Sequence, residues 1–453
     1  MFDNLNFFKV SLVVFFSLKT SILLSQEGSS LLPTDATLDD CLKYAFKNQP
    51  VIIQANLEEE ISRQNVKIAL SDWYPQLSAA ANVEHYLKLQ ESYFPNLSNP
   101  SGPKNLVTTG VFNTSAIQFS ASQVLFNNDV FLAAKTAKSY QKQASENTQN
   151  IKINLVVNVS KAFYDVMLTQ QQLSLIVEEI ARLERNLKDT YNQYKNGISD
   201  KIDYKRATMS LESARADKLS AEENLKAKYA FLKQLMGYPA DKKLIISYDN
   251  TNIPQDILAD TTIVLHYSNR IEYQMLQTQL ILQKANISFY KIGFLPSLSA
   301  FADYNVVYQN DKFSNLYNAD FPNSYLGLSL SLPIFQGNKR LHNLKKAHLQ
   351  YEELSLDSIT LKNQFNTEYI QALSSYKSNL NEFKIDLENI KIAQEVYDLV
   401  KFQYGQGIKT YLEVIVSETD LLTSQINELN ALIKVLSAKL DLEKALGNIS
   451  TNY

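Results

Sequence analysis

The chain has 453 residues, only 11 of them Gly and 11 Pro, and a formal net charge of −3. This weakly acidic balance, with no basic stripe, excludes bulk attraction to nucleic acid, so no nucleic-acid partner is expected. The single cysteine, Cys41, excludes a disulfide framework and a cysteine-based metal site, and we expect it to be a small buried helical residue.

The N-terminus has the pattern of a secretory signal peptide. An apolar run from Val10 to Leu18 is followed by Lys19 and then by a second, shorter apolar stretch that ends near Ser25. The run is too short and too interrupted for a spanning helix, so residues 1–25 are predicted to be a signal peptide cleaved near Ser25. An uncleaved anchor is the alternative. Cleavage implies that the mature chain crosses a membrane.

The first repeat, residues 26–240, begins with helices and continues with strands. Thr37 is a predicted N-cap with an acid, Asp40, three residues later, and Pro50 ends this short helix. A second helix is predicted at about 51–72. Strict apolar and polar alternation then predicts strands at about 77–88 and 115–126. The intervening stretch, about 90–113, is rich in Pro, Gly, Asn and Ser and is predicted to be a long exposed loop.

A long helix is predicted at about 129–197, followed by a returning helix at about 199–236. No Pro lies between Pro103 and Pro239, and Pro inside a helix costs about 3 kcal/mol. The long helix would span roughly 100 Å and the returning helix roughly 60 Å. The helix at 51–72 adds roughly 33 Å, so the two shorter helices, stacked end to end, nearly match the long one.

The second repeat, residues 260–453, follows a linker at 241–259 and has the same order of elements. A helix is predicted at about 260–292. The later predicted elements are strands at about 298–308 and 324–334, a long helix at about 336–405, and a returning helix at about 408–446.

The turns between the long helices establish the duplication. Tyr194, Gly197 and Asp203 recur as Tyr404, Gly407 and Glu413, each 210 residues later. Gly237 and Gly447, which follow the two returning helices, have the same offset. A shared offset at four landmarks indicates an internal repeat.

The predicted strands have the length of membrane-crossing β-strands. A tilted strand of about 10 residues crosses a bilayer, but four strands cannot close without leaving unpaired edges in lipid. Membrane-spanning strands would therefore require several chains to share one barrel. The alternative is a soluble four-stranded sheet that caps a helical stalk.

The ordered motifs resemble the TolC family of bacterial outer-membrane efflux proteins. The resemblance rests on the helix opening at Thr37, the strand entries Tyr74-Pro75 and Leu295-Pro296, the run from Leu332 to Gly337, and the two turns. It covers about residues 37–447.

This resemblance implies a mainly α fold with a small β part. Long antiparallel helical hairpins would form a trimeric periplasmic α-barrel, and four transmembrane strands per chain would contribute to a shared 12-stranded β-barrel in outer-membrane lipid. It also implies a homotrimer whose closed end engages a periplasmic adaptor protein and, indirectly, an inner-membrane transporter.

The two turns are the candidate functional sites. Gly197 and Gly407 can adopt the left-handed conformation that ends a helix, and Asp203 and Glu413 fall in the first turn of the returning helices. Simple helix capping is one interpretation. By resemblance, Gly197, Asp203, Gly407 and Glu413 would form the adaptor-docking turns.

The second hypothesis is a periplasmic gate formed by Asp203, Tyr404, Lys409 and Glu413. Tyr404 and Lys409 would bond Asp203 of a facing turn and hold the entrance shut. Glu413 from three chains would form an acidic ring that favours cations. Val416 stands where a further acid on the same helical face is expected.

No catalytic constellation is recognisable, since the four histidines are scattered in the sequence. We therefore expect no enzyme, no metal site and no cofactor. The leading hypothesis is an outer-membrane exit duct of a tripartite efflux system, which passively conducts small molecules. The alternatives are the outer-membrane channel of a type I protein secretion system and, from another class, a periplasmic coiled-coil scaffold without a pore.

Overall fold

The computed structural model describes residues 32–33, 35–95, 102–248 and 257–453. The predicted signal peptide and parts of the predicted loop and linker lie outside these residues. The first repeat contains helices α1 and α2, strands β1 to β4, and helices α3 and α4. Their bounds are Leu38–Asn48, Pro50–Ser71, Gln76–His85, Gln90–Phe94, Asn105–Thr109, Asn113–Phe126, Asn128–Lys195 and Lys201–Met236.

The second repeat contains helix α5, strands β5 and β6, and helices α6 and α7. Their bounds are Ile271–Ile292, Ser297–Asn310, Asp320–Ser331, Lys339–Gly405 and Tyr411–Leu446. Short 3₁₀ turns lie at Tyr267–Asn269 and Phe313–Asn318. The predicted helices and strands of the main sheet are confirmed, with ends that differ by a few residues.

Two local predictions were wrong. The stretch at 90–113 is not only a loop, because β2 and β3 pair as an antiparallel hairpin in which Tyr93 lies opposite Leu106. Its aromatic and β-branched segments are short, and the neighbouring Pro and Asn residues made them look like parts of a loop. The helix predicted from about 260 begins at Ile271, because Arg270 has an extended backbone and directs its side chain into another helix end.

The main sheet is antiparallel, with the strand order β1-β4-β5-β6. Its central pair, β4 and β5, joins the two repeats, and Ser120 lies opposite Asp303. Strands β1 and β6 are therefore the open edges. The sheet resembles a segment of a larger structure, since both edges expose backbone groups that a further strand could pair.

The two faces of this sheet differ in chemistry. One face carries Gln118, Ser120 and Asp303, and Asp303 Oδ1 accepts a hydrogen bond of 3.1 Å from Gln118 Nε2. The register places apolar side chains on the opposite face. These include Leu77, Ala79, Ile117, Phe119, Ala302, Val306, Leu326 and Leu328. Leu326 is 86% exposed, so the apolar face is uncovered in one chain.

The helices form a layer in which α3 contacts α2, α4, α5 and α7, and α6 contacts α5 and α7. Near the sheet the order is α2, α3, α5, α6, and near the turns it is α4, α3, α7, α6. Helices α2 and α4 thus form one open edge and α6 the other. No helix in the described residues is long and apolar enough to cross a membrane.

The shorter helices stack end to end in both repeats. Gly237 ends α4 in a left-handed conformation against the backbone of Asn48 and Gln49, and the Gln49 side chain donates 2.7 Å to the carbonyl of Leu235. Gly447 ends α7 against Asn269, and Arg270 Nη1 donates 3.2 Å to the carbonyl of Ala445. The same joint is therefore closed by an amide in one repeat and by a guanidinium in the other.

The main hydrophobic core lies midway along the helical layer. Phe163 and Val159 of α3 are fully buried against α1 and α7, together with Leu432 and Leu436. Cys41 is buried there, as expected, and burial raises the pKa of its thiol to about 12. This core fixes the helices at their middle and leaves the two turns at the far end from the sheet.

Candidate functional site: the two helical turns

Both turns reverse the chain with the same backbone. Gly197 has a φ of 69° and its N–H donates to the carbonyl of Tyr194, while the N–H of Ile198 donates to that of Gln193. In the second turn, Gly407 has a φ of 73° and donates to Tyr404, and Ile408 donates to Gln403. Each turn thus satisfies the last carbonyls of its long helix in a Schellman motif.

Glycine is required at these positions by conformation rather than by space. A Cβ added at Gly197 or Gly407 would meet no atom within 4 Å. The positive φ alone disfavours any other residue. The left-handed conformation expected at both glycines is confirmed.

The returning helices are capped differently. Thr410 and Glu413 form a capping box, in which Glu413 Oε2 accepts 2.9 Å from the N–H of Thr410. In the first turn the N-cap is Asp200, whose carboxylate accepts 3.2 Å from the N–H of Ile202. Capping by Glu413 is therefore confirmed. Asp200 was not predicted as the N-cap, although an Asp three residues before another acid at a helix start is a typical signal.

The two predicted acids occupy equivalent positions but have different partners. Asp203 accepts 2.9 Å from the hydroxyl of Ser199, whereas Glu413 accepts 2.6 Å from Lys409 Nζ. Lys409, followed by Thr410, lowers the pKa of Glu413 to about 2. Both carboxylates hydrogen-bond to the residue four positions earlier, but only the charge of Glu413 is balanced by a cation.

Tyr404 connects the two turns within one chain. Its hydroxyl donates 3.0 Å to Gln193 Oε1 at the end of α3, and its ring lies 5.9 Å from that of Tyr411. Burial raises the pKa of Tyr404, and the charges of Asp203 and Asp189 raise it further, whereas the bond to Gln193 lowers it.

The two donors predicted for the gate have other partners in one chain. Within the described residues, Tyr404 bonds Gln193 and Lys409 bonds Glu413, and neither hydrogen-bonds to Asp203. A bond to Asp203 of a facing turn in another chain stays a prediction. To form such a bond, the Lys409 side chain would have to release Glu413 or bond to both carboxylates at once.

A buried ion pair near the turns was missed from the sequence. Glu418 of α7 is 2% exposed and accepts 3.1 Å from Arg182 Nε and 3.3 Å from Asn186 Nδ2, both on α3. Burial raises the pKa of Glu418, and Arg182 opposes the shift. The sequence signal for this buried pair was the acid Glu418 itself, because it lies between Val414 and Leu421 on a helix face that is otherwise apolar.

Glu179, one turn of α3 before Arg182, belongs to the same polar cluster. Burial raises its pKa to about 7, and the charge of Glu418 adds to the shift, while Arg182 opposes it.

The tip of each turn exposes an apolar pair. Ile198 and Ile202 project from the first turn, and Ile408 and Leu412 from the second, and all four are exposed. The pairs are equivalent under the repeat. Among the described residues, no group of His, Cys, Asp and Glu side chains is arranged to hold a metal ion. This end of the molecule thus presents exposed apolar side chains beside charged ones, which suits contact with another protein.

Comparisons with known proteins agree with this architecture. A model of the family described as outer membrane efflux protein matches residues 42–238 and 267–448. Outer membrane protein TolC of Vibrio cholerae is 21% identical over 422 residues, which is 91% of each chain. The toluene efflux pump outer membrane protein TtgI of Pseudomonas putida is 23% identical and covers 82% of this chain and 81% of its own length.

Solved structures show the same fold. CusC superposes with a TM-score of 0.72 at 19% identity, covering 91% of this chain and 92% of its own. The outer membrane channel CmeC of Campylobacter jejuni superposes with a TM-score of 0.69 at 16% identity, covering 92% and 87%. At this coverage the structural similarity extends over both repeats.

Proposed function

The chain belongs to the outer membrane efflux protein family, and from this premise we propose that it is the outer-membrane exit duct of a tripartite efflux system. In this function the chain conducts substrates passively, and an inner-membrane transporter supplies the energy. The observation that carries the proposal is the two-faced sheet. Its uncovered apolar face suits lipid, and its polar face suits a water-filled path.

A homotrimer is the assembly that the open edges support. Strands alternate in direction from β1 to β6, so β6 of one chain can pair antiparallel with β1 of the next. Three chains would close a ring of twelve strands and remove every unpaired edge, which lipid requires. The helical layer also has two open edges, α2 with α4 on the side of β1 and α6 on the side of β6. The same threefold rotation would therefore close both the sheet and the helical layer.

The open helical edges carry apolar stripes that a second copy of this chain would bury. On α2 the exposed residues Ile53, Leu57, Ile61 and Ile68 fall on one face, and on α6 so do Leu349, Leu356, Ile359 and Ile370. The stripes lie on opposite edges of the same chain. This arrangement favours a head-to-tail ring over a twofold dimer.

We further propose that the tips of the turns dock the periplasmic adaptor. Gly197 and Gly407 hold the apolar pairs outward, and Asp203 and Glu413 flank them. Helical hairpins of a partner can pack on such pairs, as in helix-in-groove recognition. The gate formed by Asp203, Tyr404, Lys409 and Glu413 is proposed for the same end, with Asp203 of a facing turn as the acceptor.

Single-channel recording with purified trimers in planar lipid bilayers tests the duct. We expect small, mostly closed conductance and trimers that resist detergent. A scaffold without a pore would give neither conductance nor insertion, and that result would overturn the proposal. Loss of drug resistance in a deletion strain supports small-molecule efflux, whereas loss of one exported protein alone supports the secretion alternative.

A further inference from the structure

The start of α6 differs from the equivalent start of α3 in a way that helix stability does not explain. Helix α3 begins conventionally, because Asn127 caps it and Asp129 lies in its first turn. Helix α6 begins with Lys339 and Arg340, has no acid in its first turn, and receives no side-chain cap from Asn338. Cations at the positive end of a helix are unfavourable, so these residues destabilise the helix that they begin.

The cationic cluster extends beyond the first turn. Lys345 and Lys346 follow on the same helix, and residues 339–348 contain no acid. In the part of the chain that the structure describes, none of the four cations is within ion-pair distance of a carboxylate. Lys339, Lys345 and Lys346 are exposed. The cluster therefore has a positive charge that the chain itself does not neutralise.

An apolar segment lies directly between this cluster and the sheet. Ile334 and Phe335 connect β6 to α6, and they are 91% and 80% exposed. The guanidinium of Arg340 lies 5.4 Å from the ring centre of Phe294, which precedes β5. Aromatic and apolar side chains followed a few residues later by cations are typical of the boundary between hydrocarbon and lipid headgroups.

We propose that the segment from Ile334 to Lys346 binds anionic phospholipid headgroups of the periplasmic leaflet. Ile334 and Phe335 enter the acyl region, Arg340 is held against Phe294, and Lys339, Lys345 and Lys346 reach the phosphates. This inference rests on the proposed outer-membrane location. The two together explain the reversed charge at the start of α6, because lipid phosphates supply the anions that the chain lacks.

Native mass spectrometry of the delipidated full-length trimer tests the proposal. Added phosphatidylglycerol is expected to bind with about tenfold higher affinity than phosphatidylcholine, because each cation contributes to the free energy of binding an anionic headgroup. The triple variant Lys339→Gln/Lys345→Gln/Lys346→Gln is expected to lose this preference. It retains Arg340, which packs on Phe294.

The matched control removes the same charge far from the sheet. In Lys188→Gln/Lys377→Gln/Lys384→Gln the preference should remain at the parental value. Equal binding of both lipids to the parent, an unchanged preference in the first variant, or equal loss in the control each overturns the proposal. Displacement of phosphatidylglycerol by millimolar inorganic phosphate would also overturn it, because the cluster would then be a general anion site.

Conductance in bilayers of neutral lipid separates this inference from the proposed function. Both triple variants should conduct like the parent there. A parent that forms no trimer and no channel contradicts the duct, whereas a conducting parent without lipid preference contradicts only the lipid site.

Discussion

At the scale of single residues, the two turns show how a duplicated backbone diverges in charge. The same hydrogen bond spans four residues in each turn, from Ser199 to Asp203 and from Lys409 to Glu413. Because serine is neutral, Asp203 keeps a net charge that Glu413 has already shared with a cation. Asp203 is thus the acid with charge available to a facing turn.

The first prediction concerns Asp203 as the acceptor of the gate. Asp203→Asn removes the charge that we propose to hold Tyr404 or Lys409 of a facing turn, so open events in planar bilayers should become severalfold more frequent. The control Asp200→Asn removes the same charge three residues away and retains a good N-cap. Equal conductance of both variants and the parent would show that no such bond holds the entrance.

A second prediction follows from Glu179. Its pKa in the folded protein, about 7, exceeds its ordinary value of 4.5, so ionisation opposes folding. The contribution of Glu179 to the stability of the parent should therefore fall as pH rises from about 4.5 through about 7. Glu179→Gln should melt a few degrees higher than the parent at pH 8, and at the parental temperature at pH 4. A pH-independent difference between the two proteins would contradict this assignment.

At the scale of elements, the sequence was most informative about long periodic segments. The absence of proline and the apolar seam predicted α3 and α6 to within a few residues, because these signals accumulate over many turns. The hairpin of β2 and β3 was missed, since five-residue strands carry too little pattern. The partners of Tyr404 and Glu418 were also beyond reach, because they depend on which helices become neighbours and on the side-chain directions there. The pair of Lys409 and Glu413, by contrast, is local and has the i,i+4 spacing that a sequence shows.

The third prediction tests the glycine of the second turn. Gly407→Ala should lower the free energy of unfolding by about 1 kcal/mol, since alanine disfavours a positive φ. Gly405→Ala is the matched control, because Gly405 ends α6 without a positive φ and has open space around it. Denaturation of the purified protein followed by circular dichroism distinguishes them. A similar loss in the control would point to a contact at the turn instead of its conformation.

The fourth prediction concerns the joint between α5 and α7. Arg270 is 4% exposed, and it donates to Glu272, Glu368 and the carbonyl of Ala445. Arg270→Ala leaves these acceptors unpaired and should cost about 3 kcal/mol of stability. Arg270→Gln copies the amide that closes the equivalent joint at Gln49, so it should lose less. Thermal unfolding measures both, and equal losses would show that the amide cannot replace the guanidinium.

At the scale of the whole molecule, one chain presents an unfinished ring. The sheet ends at β1 and β6, and the helical layer ends at α2 with α4 and at α6, so both open edges recur along the full length. The sequence alone indicated that four strands cannot close in lipid. It did not determine how many copies complete the ring, and the resemblance to a known family supplied that number.

The fifth prediction tests closure of this ring through the apolar stripe of α6. Ile359→Lys places a cation in the proposed seam, so it should shift the purified protein from trimer to monomer in size-exclusion chromatography with light scattering. Asp357→Lys adds the same residue at an exposed position off the stripe and should remain trimeric. If Ile359→Lys also remains trimeric, the stripe does not form the seam.

The central pairing of β4 with β5 has a consequence for how the chain acquires its structure. Ser120 and Asp303 are bonded across 183 residues, and each comes from a different repeat. Neither half can complete its own sheet, and a pairing this distant in sequence forms slowly. During export, the first half must wait with an exposed apolar strand until the second half arrives. We therefore expect the unpaired edge of β4 to favour aggregation until the second repeat is available, and a chaperone that covers this edge should raise the yield of folded protein.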